Sequence, residues 1–175
     1  MSNLPRIAGV LSYATLLLIS ILVISALVFL IMPDLARSFL LGSLPAGAPE
    51  TAVTGPILYG VQAAAWVVLG VNLFVLWHIY CLSSLYAMRE TLSDRCGHHV
   101  RRIGLGLILF PVVTTAYGAL SSVLLSWHNP PGERELVLAI NVQGLGFAIG
   151  GALLLLIGTT IRHATAIAEE NRSFV

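Results

Sequence analysis

The sequence predicts an all-α, polytopic membrane protein built as a four-transmembrane-helix bundle. Of its 175 residues, 57% are hydrophobic and only 10% charged, and the mean hydropathy is +0.91. Soluble domains carry about a quarter charged residues, so lipid is the expected solvent for most of the chain. Four uncharged stretches, moreover, each exceed the roughly 20 helical residues needed to cross a hydrocarbon core about 30 Å thick. The net charge of +1, with no basic run, argues against nucleic acid as a partner.

Residues 8–32 form the first span, apolar and small throughout. A signal peptide with Arg6 as its basic region is the rival reading. Its apolar core should be only about 7 to 15 residues, so the stretch reads as a retained anchor. Residues 33–55 then connect the first and second spans. They begin Pro33-Asp34-Leu35-Ala36-Arg37-Ser38-Phe39-Leu40, in which Asp34 suits the start of a short interfacial helix with Leu35, Phe39 and Leu40 turned to lipid. A weakly ordered connector fits the same residues.

The second span, 57–86, opens after Pro56, a residue suited to the first turn of a helix. The third, 103–127, contains Pro111, expected to bend it. The segment His128-Asn129-Pro130-Pro131-Gly132 breaks the helix before the fourth span, 136–161. An even number of spans puts both termini on one side. Arg6, Arg89, Arg95, Arg101, Arg102, Arg162 and Arg172 then share that side, against Arg37 and Arg134 on the other. The positive-inside rule places the termini, the hairpin 89–102 and the tail 162–175 in the cytoplasm.

No Asp, Glu, Lys or Arg falls within a span, so a proton-relay carboxylate, a buried ion pair and a voltage sensor are not expected. Neutral polar groups remain. Gln62, Ser121, Ser122, Asn141 and Gln143 fall at similar depths near the outer side. They are expected to form interhelical hydrogen bonds or, alternatively, a small ligand pocket with Tyr117 beneath. Gly146 and Gly150, continued by Ala148 and Ala152, and Gly60 with Ala64, read as small faces for close helix packing within the molecule, with a homo-oligomer as the alternative.

His78 lies within the second span. An ordinary hydrogen-bonded histidine is its first reading, and a haem ligand paired with His163 its second. Cys96-Gly97-His98-His99 brings three potential zinc ligands together, yet without the paired spacing of structural zinc sites. A solvated loop is the simpler reading, and no resident cofactor is expected. Catalytic signatures such as G-x-S-x-G, H-E-x-x-H or a Gly-rich phosphate loop do not occur, so an enzyme is not expected.

Arg89-Glu90-Thr91-Leu92-Ser93 followed by Val100-Arg101-Arg102-Ile103-Gly104, together with the ending Ala168-Glu169-Glu170-Asn171-Arg172-Ser173-Phe174-Val175, resembles an uncharacterised family of bacterial four-helix membrane proteins catalogued as domain of unknown function 2975. The resemblance implies four spans and a bacterial inner membrane. Members are often encoded beside a small helix-turn-helix regulator, which implies a regulatory pairing; the resemblance implies no catalytic residues. The leading functional expectation is a protein partner bound through Arg95, Arg101, Arg102, Glu169 and Glu170. A small-molecule binding or transport subunit using Gln62, Tyr117, Asn141 and Gln143 is one alternative, and a haem or quinone redox protein the other.

Overall fold

The computed structural model describes residues 4–43, 53, 55–88, 90, 93–127, 136–138 and 142–173. They form five helices: α1 (Leu4–Ile31), α2 (Pro33–Ser43), α3 (Gly55–Ala87), α4 (Asp94–Leu125) and α5 (Val142–Ser173). Four of these, all but α2, are long and apolar enough to cross a membrane. The helix over the tail continues α5, as the helical spacing of Ile161, Thr165 and Ala168 leads one to expect. The stretch read as a solvated loop is different: from Asp94 onward it is the start of α4. At the opposite end, the fourth span was expected from residue 136, yet Leu136, Val137 and Leu138 are not helical and α5 begins at Val142. An apolar run satisfies a hydropathy pattern whether or not it is helical.

The long helices pack antiparallel in chain order, α1 on α3, α3 on α4 and α4 on α5, and the last contact is the most extensive. Among the described residues no comparable contact joins α1 to α5. Many hydroxyl and amide groups within the helices are satisfied locally, as a water-free surrounding favours. Ser12 donates to the Ala8 carbonyl (3.0 Å), Asn72 to Val68 (3.0 Å) and Thr160 to Leu156 (2.9 Å). Across helices, Gln62 Nε2 donates to the Phe29 carbonyl at 3.0 Å and ties α3 to α1.

The α4–α5 contact is a ladder of notches seven residues apart. A Cβ on Gly97 would lie 2.9 Å from the Gly158 carbonyl oxygen, one on Gly104 2.5 Å from that of Gly151, and one on Gly144 2.9 Å from the Pro111 ring. Seven residues are nearly two helical turns, so each set stays on one face with a drift of only about 20° per repeat. Gly146 and Gly150, expected from their spacing of four to pack inside the molecule, face open space instead. Gly60 does pack, its missing Cβ lying 3.2 Å from Leu124.

Candidate functional site

Two regions at opposite ends of the molecule bring the sequence candidates together. The first lies at the end that carries the α3–α4 connection. Ser93, with φ −125° and ψ 156°, is the N-cap of α4 and accepts a hydrogen bond from the Cys96 amide at 3.4 Å. Asp94 follows in the first turn, where a carboxylate suits the positive end of the helix dipole. Cys96 is completely buried, and its thiol donates to the Glu90 carbonyl at 3.1 Å. One turn further along, His99 faces His78 on α3, with the two Nδ1 atoms 2.9 Å apart. One ring donates and the other accepts. His78 is buried, and the edge of Phe74 closes on its ring with centroids 4.6 Å apart.

His99 is therefore the partner of His78, while His163 lies exposed on α5. Among the described residues no group of three or more His, Cys, Asp and Glu is placed to hold a metal ion. Helix formation accounts for this: the Cys96 thiol turns back to a backbone carbonyl and His99 turns to α3, so Cys96, His98 and His99 do not converge as they would in a tight loop.

Arg162 on α5 places its Nε 2.8 Å from Asp94 Oδ1, closing the end of the glycine ladder with an ion pair. Both side chains are well exposed, so the pair contributes about 0 to 1 kcal/mol. Arg95, Arg101 and Arg102 are exposed on the first turns of α4, and Glu170 is exposed on α5; the Glu169 side chain lies outside the described structure. Hydropathy and charge counting identified these arginines. The Asp94–Arg162 pair escaped that reading because its partners are far apart in the chain and Asp94 was taken as part of a loop.

The second region lies at the α2 end, where a cavity of about 280 Å³ opens between α1, α2 and α3, with Tyr117 of α4 in its wall. Gln62 and Tyr117 both line it. Gln143 instead lines a separate space of about 500 Å³ between α4 and α5 beside Pro111, and Asn141 lies outside the described residues. The polar groups expected to meet here thus divide. Ser122 accepts from the Val137 amide at 3.1 Å and donates to the Ala119 carbonyl at 2.8 Å, and Ser121 Oγ is buried without a partner among the described residues. The aromatic walls of the cavity, Phe29, Phe39 and Trp66, were not anticipated, since residues so far apart in sequence share no local pattern.

Four long apolar helices, with the charged residues concentrated at their ends, define a multi-pass, all-helical integral membrane protein. No protein-family model matches the chain, and neither a curated protein nor a solved structure matches it.

Proposed function

We propose that the protein is a non-enzymatic component of the bacterial inner membrane that docks an acidic segment of a protein partner on its cytoplasmic end, in a regulatory or accessory role. The carrying observation is the joining of α4 to α5 by the Asp94–Arg162 pair and the Gly97–Gly158 contact. It brings the backbone of Arg101 against α5 at Gly158, and Arg95, Arg101 and Arg102 are exposed on these first turns of α4. Support for the orientation comes from the seven-to-two distribution of arginines described above. Support for the bacterial setting comes from the resemblance of residues 89–93 and 100–104 to the four-helix family. Basic surfaces of this kind speed encounter with acidic partners and select among them.

Charge reversal tests this reading. Native mass spectrometry of the protein extracted from its host membranes in mild detergent should show a protein partner with the parent chain. The Arg101→Glu/Arg102→Glu variant should insert normally and lose that partner. Retention of the partner by the variant, or a bare chain in both spectra, would sink the proposal.

A further inference from the structure

The α2 end carries a separate inference, independent of what docks on the arginines. α2 begins at Pro33, directly after the chain leaves helical geometry at Met32, and the Met32 carbonyl accepts from the Leu35 and Ala36 amides at 3.1 and 3.3 Å. This turn folds α2 back over the bundle. Ala36 is buried against Val53 and Leu58, while Phe29, Leu40 and Leu41 pack around them, so the short helix is seated on a small core of its own. Phe39 meets Phe29 edge-on, with centroids 5.7 Å apart. Beneath α2 lies the cavity of about 280 Å³, close to the lower limit of about 300 Å³ for small-molecule sites.

Its lining is specific in kind. Of fourteen lining residues four are aromatic, Phe29, Phe39, Trp66 and Tyr117, against 8% in the chain, a proportion that favours a planar ring over a flexible chain. Among the described residues no Asp, Glu, Lys, Arg or His lines it, so a charged head would lose its hydration without gaining a counter-ion. Neutral hydrogen-bonding capacity is present: the Tyr117 hydroxyl is available as a donor, and Gln62, whose Nε2 is held by the Phe29 carbonyl, keeps its amide oxygen as an acceptor. Leu22, Ser25, Ala26 and Phe29 of the membrane-crossing α1 form one wall, which puts the cavity within reach of a ligand dissolved in the bilayer.

We infer that this cavity binds an uncharged, lipid-soluble ring compound bearing a carbonyl or hydroxyl, of the quinone or phenol class, with its ring against Trp66 and its oxygen facing Tyr117 and Gln62.

The test uses the fluorescence of Trp66 in the full chain carrying Trp77→Phe and Trp127→Phe, reconstituted in lipid nanodiscs and titrated with decylubiquinone. Saturable quenching is expected, unaffected by decanol, which offers a tail without a ring, and weakened at least tenfold by Ala65→Phe, which fills the cavity. Tyr117→Phe should weaken it several-fold, and Gln143→Leu, in the other space, should leave it unchanged. Duroquinone, a ring without a tail, distinguishes the source. Its saturable binding would extend the site to ring compounds arriving from water, and its failure to bind would restrict the site to membrane-dissolved ones. Quenching that rises linearly without saturating, that decanol reverses, or that is identical in Ala65→Phe overturns the inference.

Discussion

Gly104 and Gly151 meet backbone to backbone: a Cβ on either would lie 2.5 to 2.6 Å from the carbonyl oxygen of the other. No side-chain rotation relieves such a clash, because the obstructing atoms belong to helix backbones. Gly104→Ala and Gly151→Ala should therefore each destabilise the protein by about 1–3 kcal/mol, the usual cost of overpacking. Gly146→Ala and Gly150→Ala, which face open space, should remain within about 0.5 kcal/mol of the parent. Equilibrium unfolding in mixed detergent compares the four; equal effects at Gly104 and Gly146 would remove the ladder from the account.

The His78–His99 bond links α3 to α4, and a double-mutant cycle with phenylalanine at both positions should return a coupling of about 0.6 kcal/mol and at most about 1.7. Its sign with pH follows from the shared hydrogen. With both rings neutral, one donates and one accepts; with both protonated, two donors face each other and the bond is lost. Stability from the pair is thus present at neutral pH and above and declines only on the acid side of the ordinary imidazole range, because a single added proton still leaves one donor facing one acceptor. Thermal midpoints between pH 8 and about pH 4 should drop less steeply in His99→Phe than in the parent. Parallel profiles would contradict this.

Cys96 is wholly buried beneath its own N-cap, so its thiol should resist a maleimide reagent in folded protein and react once denaturant is added. In a Cys81→Ser background, Ser93→Ala should cost about 1 kcal/mol through loss of the cap and speed the labelling of Cys96 by about fivefold if local opening controls access. Rapid labelling of the folded parent would show that the start of α4 is not closed as described.

Asp94 and Arg162 bridge sixty-eight positions of sequence, yet their exposure limits the stabilisation to about 1 kcal/mol or less. Reversing either charge alone, Asp94→Arg or Arg162→Asp, should lower the unfolding midpoint slightly, and reversing both should recover part of the loss, the remainder reflecting an arginine at the positive end of α4. Addition of salt to about 1 M, where screening reaches about 3 Å, should shrink the difference. A double reversal no better than the singles would deny the pair any energetic role.

Much of the architecture was legible because lipid imposes a simple demand: a span must be long, apolar and internally hydrogen-bonded. Residues 8–32 and 57–86 needed nothing more. Hydropathy failed where the question became one of helix register. Leu136, Val137 and Leu138 are apolar without being helical. Gly146 and Gly150 drew attention through a spacing of four, whereas the packed glycines, Gly97 with Gly104 on α4 and Gly144, Gly151 and Gly158 on α5, recur at seven. That period was present in the sequence and identifies a single helical face. Ser93 directly before Asp94 was likewise a readable helix start, and reading it would have converted the supposed solvated loop into the first turns of α4. The cavity under α2 was not readable in the same way: only Gln62 and Tyr117 announced themselves as polar groups, and the aromatic residues around them are brought together by tertiary folding alone.

Because every long helix rests on the one made just before it, the spatial order is also the order of synthesis. A nascent chain leaving the insertion machinery can dock α3 on α1, then α4 on α3, without holding any surface open for a distant partner. Only α5, the last of these five helices to emerge, covers the backbone notch at Gly104. A chain stalled or cleaved before α5 would present that notch bare to the bilayer, which gives membrane proteases a physical mark of the unfinished product.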